Sequence, residues 1–171
     1  MYTNLNDYRA IRILIDGNKN IAVFSESKNP AYDGDDWTPM YLPSKTPYEL
    51  KAPYTIEELA AVIEKGILAW EQHEPYTDKK VTFEEDYYKI KGFKNATLGK
   101  KYIALGWDDI GGKKVFLGLP SKTGKNYMGI EDIKLDDDAD WIDFAKAVIV
   151  LINLDLPNHH RFKTFKKRLN L

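Results

Sequence analysis

The sequence predicts an α+β fold with a mainly antiparallel sheet and two principal helices. Three observations favour this class: strand-like runs joined by turns rich in Asp and Gly, two apolar segments that each begin at a helix cap, and a similar order of elements in both halves of the chain. With 171 residues, of which 43% are hydrophobic and 30% charged, the chain has the size and composition of one folded domain. We therefore expect residues 1–171 to form a single domain.

The first predicted elements form a β-hairpin. Arg9–Asp16 and Ile21–Ser25 are rich in β-branched and aromatic residues, and the turn between them reads DGNK. Gly and Asn accept the positive φ angles that tight hairpin turns require. A loop rich in Pro, Gly and Asp, Glu26–Met40, is predicted to follow the hairpin.

An amphipathic helix is predicted next. Thr55 is a candidate N-cap and Glu58 follows three residues later, which is the spacing of a capping box. Apolar residues then recur at steps of three and four, as on one face of a helix. These residues are Ile56, Leu59, Ala60, Ile63, Ile67 and Trp70.

The second half of the chain is predicted to contain three more strands and another helix. The strand-like segments are Tyr87–Phe93, Lys101–Trp107 and Lys114–Leu119, and Asp and Gly residues between the last two indicate a hairpin turn. Asp140 is a candidate N-cap for the nearly apolar segment WIDFAKAVIVLINL. The length of that segment favours a buried helix over a buried strand.

The pentapeptide LPSKT occurs twice, at Leu42–Thr46 and at Leu119–Thr123. In each half it is predicted to follow a hairpin and to precede a capped helix. We interpret this order as a pseudo-repeat of a hairpin-plus-helix unit, with halves of about 9–73 and 87–155. The interpretation predicts that Pro43 and Pro120 lie at equivalent exits from strand to loop.

Charge is distributed unevenly along the chain. The last fifteen residues, from Pro157, contain five basic residues and no acid, so the rest carries a net charge of −6 within an overall charge of −1. The segment HHRFKTFKKRLNL is predicted to form a short basic C-terminal helix with its apolar residues on one side. An acidic body argues against a general nucleic-acid binder and favours a basic protein partner.

Several classes of protein and site are disfavoured by composition and spacing. The absence of cysteine excludes disulfides and cysteine nucleophiles, and it fits a reducing cytoplasm. The N-terminus does not resemble a signal peptide, and the longest apolar stretch is too short to span a bilayer, so we expect a cytoplasmic protein that does not contact the membrane. LPSKT matches neither a sortase signal nor a phosphate-binding loop, and no histidine near it could activate its serine. The sequence therefore predicts no catalytic residue, no bound metal and no cofactor.

Acidic residues form three clusters, within YDGDDW, FEEDYY and LDDDADW. The alternatives are a calcium loop, a two-metal phosphodiesterase site, and solvated loops, either alone or with some of them facing a basic partner. The calcium loop lacks the glycine and glutamate of an EF-hand, and no basic substrate channel accompanies the acids. An aromatic residue ringed by acids is typical of a binding hot spot, so we predict a partner-binding surface. The predicted residues are Asp33, Asp35, Asp36, Trp37, Asp136, Asp137 and Asp138.

Residues 8–155 resemble a family of bacterial immunity proteins that protect cells from the toxins of contact-dependent growth inhibition. The resemblance is carried by the hairpin IRILIDGNKNIAVFS, the loop before YLP, the helix EELAAVIEKGILAW, the segment YYKIKGFKNATLGKKYIAL and the closing DWIDFAKAVIVLIN. It implies a cytoplasmic protein without enzymatic activity that binds the C-terminal domain of a cognate toxin, often a nuclease, and blocks its active site or substrate access. Because the family has no signature residues to match, the resemblance transfers no site residues.

The leading hypothesis from the sequence is therefore a non-catalytic immunity protein that neutralises a toxin domain. Two alternatives stay open at this point. One is a metal-dependent phosphodiesterase that uses the clustered Asp residues. The other is a phage- or defence-related inhibitor of some other macromolecule.

Overall fold

The computed structural model describes residues 9–35, 37–108, 112–121 and 127–156. These residues form an antiparallel seven-stranded sheet and four helices, two of them long, which confirms the predicted α+β class. The elements of the first half are β1 (Arg9–Ile15), β2 (Ile21–Lys28), β3 (Tyr41–Pro43), β4 (Tyr48–Leu50) and α1 (Ile56–Leu68). Those of the second half are α2 (Phe83–Tyr88), α3 (Phe93–Thr97), β5 (Lys101–Asp108), β6 (Gly112–Pro120), β7 (Tyr127–Lys134) and α4 (Trp141–Ile152).

The strand order across the sheet is β3-β2-β1-β5-β6-β7, and β4 pairs with β2 beside β3. The predicted first hairpin is present, with Ile15 opposite Ile21 at its turn. β1 and β5 pair antiparallel at the centre and join the two halves of the chain. The sheet edges are therefore β3 and β4 on one side and β7 on the other.

Helices α1 and α4 pack against each other and cover one face of the sheet. Because side chains alternate along a strand, Ile11, Ile13 and Ile15 of β1 all point to this face. Each is at most 2% exposed, and full burial of such a side chain stabilises the fold by about 1.5–3 kcal/mol. This face holds the main core.

Both long helices begin where their caps predict. Thr55 Oγ1 accepts a hydrogen bond from Glu58 N over 3.1 Å, and Glu58 Oε2 accepts one from Thr55 N over 2.8 Å. Asp140 and Asp143 form the same reciprocal pair at the start of α4. A capping box satisfies backbone donors that the first turn leaves unpaired.

The opposite face of the sheet is covered in part by the segment that contains α2 and α3. Phe83 of α2 packs edge-on against Phe24 of β2, with ring centroids 5.1 Å apart. Leu14 and Tyr102 complete this second, smaller core. Beside this segment, the described residues leave a cleft on the same face.

The predicted strand Tyr87–Phe93 is wrong. Residues up to Tyr88 belong to α2, which starts at a capping box between Thr82 and Glu85 and ends at Lys89 in the left-handed conformation, with φ of 56°. The β-propensity of the aromatic residues was outweighed by this local cap and by packing on the sheet. The strands β3, β4 and β7 were not predicted, because two are very short and β7 contains a Gly and two acids.

The two LPSKT copies do not occupy equivalent positions. Pro43 ends β3, a third strand paired with β2, whereas Pro120 ends β6, the second strand of its hairpin. The pseudo-repeat of halves 9–73 and 87–155 stays a prediction, and LPSKT does not mark its register.

Some predicted features lie outside the described residues. They are Asp36, most of the turn between Lys101–Trp107 and Lys114–Leu119, the last two residues of the second LPSKT, and the basic C-terminal helix. Across the parts of the chain that are described, no helix combines the length and the apolar character needed to cross a membrane.

Candidate interaction surface and sheet-face cleft

The loop between β2 and β3 is held in shape by its own hydrogen bonds. Asn29 Nδ2 donates to Pro39 O over 2.8 Å, and Asn29 N donates to Met40 O over 2.8 Å, which closes the base of the loop. Near the tip, Asp33 Oδ1 accepts from Asp35 N, and Asp35 Oδ1 accepts from the backbone N of Trp37. Such bonds fix a turn without any packed core beneath it.

Trp37 is presented to solvent by this loop. Its side chain is 92% exposed, the largest value among the exposed large apolar residues of the described chain. An exposed tryptophan buries a large apolar area when a partner covers it, so it is a strong candidate anchor. Asp33 and Asp35 are exposed beside it, as the sequence predicted.

The second predicted acidic group, Asp136, Asp137 and Asp138, lies between β7 and α4 and is exposed. Lys113 Nζ donates to the backbone oxygens of Asp137 and Ala139 over 2.6 and 2.8 Å, which fixes this turn. No described residue donates a hydrogen bond to the three carboxylates. They are therefore available to a partner.

The two acidic groups lie at opposite edges but at the same end of the sheet. The loop that carries Trp37 leaves β2 after Lys28, and the turn at Asp137 leaves β7 after Lys134, which faces Lys114 in the register. Five strand spacings of about 4.8 Å separate β3 from β7, a width of about 24 Å. A partner patch of about 800 Å², roughly 30 Å across, spans that distance.

The third acidic cluster has a structural role. Glu85 Oε2 accepts from Thr82 N in the capping box of α2, and backbone hydrogen bonds from Thr82 and Gly92 lower the pKa of Glu85. Glu84 is only 2% exposed and accepts from Tyr127. Glu84 and Glu85 therefore organise α2, whereas the half-exposed Asp86 pairs with Lys89 over 3.0 Å.

A cleft of about 490 Å³ occupies the uncovered part of the second sheet face. Small residues form part of its floor, because Ala10, Ala104 and Gly106 face it from β1 and β5. A Cβ at Gly106 would lie 2.9 Å from the backbone oxygen of Arg9, so the close approach of β1 and β5 requires glycine there. The aromatic residues that line the cleft are Tyr76, Phe83, Tyr102, Phe116 and Tyr127.

Charged side chains also line this cleft. Arg12 Nε donates to Glu26 Oε1 over 2.9 Å, and the Arg12 guanidinium lies 6.0 Å from the centre of the Phe83 ring. Tyr127 OH donates to Glu84 Oε1 over 2.7 Å. Burial raises the pKa of Glu84, while the hydrogen bond from Tyr127 acts in the opposite direction.

The sequence did not single out the cleft residues. A usable signal was present in β1, where Arg12 interrupts the otherwise apolar run AIRILI and a charged residue at a half-buried position needs a partner. Its partner Glu26 was assigned to the following loop, whereas β2 continues to Lys28.

The sequence predicts no metal site, and the acids and histidines are the residues that could form one. Among the described residues, no group of three or more His, Cys, Asp or Glu side chains is placed to hold a metal ion. His73 Nε2 instead lies 2.8 Å from the hydroxyl of Tyr48. His159 and His160 lie outside the described residues.

Comparison with solved structures shows that this chain shares its fold with known proteins. No family model and no curated protein sequence matches the chain. Among solved structures, a protein of unknown function from Neisseria meningitidis matches with a TM-score of 0.54 and 9% identity, over 89% of this chain and 98% of that one. A chain of a CdiA-CT/CdiI toxin and immunity complex from Yersinia pseudotuberculosis matches with a TM-score of 0.54 and 9% identity, over 87% of this chain and 98% of that one. At this identity the similarity establishes a shared architecture.

Proposed function

We propose that this chain is a non-catalytic immunity protein that binds a toxin domain and neutralises it by covering the active site or the path of the substrate. The observation that carries the proposal is the shared fold with a chain of a toxin and immunity complex. The partner is the C-terminal domain of a cognate toxin, with a basic surface such as a nuclease uses to hold phosphate.

The exposed end of the sheet supports this proposal physically. Trp37 provides an apolar anchor at one edge, and Asp136, Asp137 and Asp138 at the other provide carboxylates that accept no hydrogen bond from a described residue. Opposite charges on the partner would accelerate encounter and fix its orientation, while the tryptophan contributes most to the lifetime of the complex. Neutralisation then requires one copy of this chain for each toxin domain and no turnover.

The test uses the C-terminal domain of any toxin-like protein whose gene adjoins the gene of this chain. Calorimetry is expected to show a one-to-one complex, and co-expression is expected to restore growth to cells that produce the toxin domain. Trp37→Ala is expected to weaken binding by at least tenfold, as is typical of a tryptophan hot spot. Absence of binding by the unmodified chain would sink the proposal.

A matched control distinguishes a specific role of Trp37 from the effect of removing any exposed apolar side chain. Leu98 is 73% exposed on the segment after α3, so Leu98→Ala also removes an exposed apolar side chain. This variant is expected to bind and protect like the original chain. An equal loss for Leu98→Ala and Trp37→Ala would show that Trp37 is not a specific anchor.

A further inference from the structure

The hydrogen-bond capacity of the sheet-face cleft is unbalanced. Each carboxylate that lines it already has a donor: Glu26 accepts from Arg12, Glu84 from Tyr127, and Asp78 from the backbone N of Lys80 and Val81. Each carboxylate of the lining is therefore already engaged by at least one donor of the protein.

The cations of the cleft are less satisfied. Of the nitrogens of the Arg12 guanidinium, only Nε donates to a described residue, so its two terminal nitrogens have no described acceptor. Lys114 is exposed at the mouth of the cleft, and no described residue accepts from its Nζ. Lys134 faces Lys114 directly across the pair β6–β7, and like charges in such a pair repel each other. The lining of the cleft contains two cations, Arg12 and Lys114, and three carboxylates, so the open donors of Arg12 and of the two facing lysines, and not the net charge, favour an anion.

The Arg12 guanidinium is also held in place. The bond to Glu26 fixes Nε, and Phe83 lies beside the guanidinium at 6.0 Å. The two terminal nitrogens of a fixed guanidinium match the two oxygens of a carboxylate in one plane. Preorganisation of this kind reduces the entropy lost on binding.

The remaining walls are apolar and flat. Phe116 and Tyr102 lie close together, with ring centroids 6.2 Å apart, and Tyr102 stacks on Tyr127 with centroids 3.8 Å apart. A cleft of about 490 Å³ is within the usual size range of small-molecule sites, about 300–1,000 Å³. These walls suit a ligand with a flat apolar body.

We propose that this cleft is a binding site for a small carboxylate with a flat apolar body, held by Arg12 and Lys114 against the aromatic wall. The site is independent of the immunity function, since it uses none of the residues assigned to the toxin surface. The carboxylate lies between the two cations, and the apolar body contacts Phe116 and Tyr102.

The test is a titration of the full chain with naphthalene-2-carboxylate, followed by calorimetry and by the chemical shifts of the Arg12 Nε–H group. The neutral analogue naphthalene-2-carboxamide has nearly the same shape and is expected to bind at least tenfold more weakly. Acetate, which lacks the apolar body, is also expected to bind at least tenfold more weakly. Binding of the amide within twofold of the carboxylate, or no binding of the carboxylate, would overturn the proposal.

Lys114→Gln is the deciding variant, because Lys114 is exposed and its replacement leaves the core intact. This variant is expected to bind naphthalene-2-carboxylate at least threefold more weakly and to bind the amide with unchanged affinity. Arg12→Lys keeps the charge but loses the planar pair of donors. It is expected to bind the carboxylate ligand at least fivefold more weakly. Lys89→Gln, at an exposed lysine paired with Asp86 outside the cleft, is the control and is expected to change nothing. Unchanged carboxylate affinity in Lys114→Gln would place the ligand elsewhere.

Discussion

Tyr127 donates its hydroxyl hydrogen to Glu84 Oε1 over 2.7 Å and thereby ties the edge strand β7 to the first turn of α2. Glu84 is 2% exposed, so its carboxylate has lost most of its hydration. A buried carboxylate is costly unless donors surround it. The bond thus compensates for a buried charge and fixes one wall of the cleft.

Removal of this hydroxyl is expected to destabilise the fold. Tyr127→Phe leaves the Glu84 carboxylate without that donor, which typically lowers the free energy of unfolding by about 1–3 kcal/mol. Urea unfolding at pH 7 measures the loss. Tyr32→Phe is the matched control, because no described residue hydrogen-bonds the Tyr32 hydroxyl, and its loss is expected to be within about 0.5 kcal/mol. Equal losses in the two variants would contradict a role for the bond.

Glu84 is also expected to make stability depend on pH. Burial raises the pKa of Glu84 in the folded state, so the folded chain keeps this proton to a higher pH than the unfolded chain does. The contribution of Glu84 to stability therefore falls as pH rises from the unfolded pKa, about 4.3, through the folded pKa.

The measurement compares the original chain with Glu84→Gln between pH 4 and pH 8. Glu84→Gln cannot ionise, so its stability relative to the original chain is expected to rise with pH across this window. A constant difference between the two chains would mean that the pKa of Glu84 is the same in both states.

The sequence allowed the two long helices to be predicted, because their signals are local. The capping boxes at Thr55 and Asp140 and the spacing of apolar residues lie within single segments, and burial against the sheet agrees with them. The sheet was predicted only in part, since β7 contains Gly129 and two acids and pairs with β6 through a register shift after Leu117. Helix α2 was mistaken for a strand although Thr82 and Glu85 have capping-box spacing.

The two candidate sites also differ in how far the sequence allowed them to be predicted. Exposure of Trp37 and its acidic neighbours was predictable, because charged loops without apolar periodicity rarely pack into a core. The cleft was not predictable, because Arg12, Glu84 and Tyr127 come from β1, α2 and β7 and meet only in the folded chain. No local pattern connects them.

Gly66 is expected to be essential for the packing of α1 on β2. A Cβ at this position would lie 2.6 Å from Val23 Cγ1 and 3.4 Å from Ile11 Cγ2, and both residues are fully buried. Gly66→Ala should raise helix propensity by about 1 kcal/mol, but overpacking of this kind costs about 1–3 kcal/mol and displaces α1. We expect a net loss in the free energy of unfolding.

A double-mutant cycle with Val23→Ala tests the cause of that loss. Val23→Ala removes the methyl group that meets the new Cβ. The double variant is therefore expected to lose at least about 0.5 kcal/mol less in free energy of unfolding than the sum of the two single variants. Coupling between neighbouring residues is typically about 0.5–3 kcal/mol. Strictly additive losses would show that the clash with Val23 is not responsible.

Lys101 is expected to stabilise the C-terminal end of α4. Its Nζ donates to the backbone oxygens of Leu151, Ile152 and Leu154 over 3.0, 2.6 and 2.8 Å. These carbonyls lie at or just beyond the last turn of α4, where a positive charge is favourable. Leu151 O also accepts from Leu154 N over 3.4 Å. Lys101→Met keeps the apolar stem and removes the donors, so it is expected to lower the free energy of unfolding by about 1–3 kcal/mol.

Two further measurements test whether this loss in the free energy of unfolding comes from the end of α4. Lys94→Met, at an exposed lysine of α3, removes a charge without removing a described hydrogen bond and is expected to change stability by less than about 0.5 kcal/mol. Hydrogen exchange is expected to accelerate at the last amides of α4 in Lys101→Met, because an uncapped final turn opens more often. If exchange there is unchanged while stability falls, Lys101 acts through the packing of its stem and not through the carbonyls.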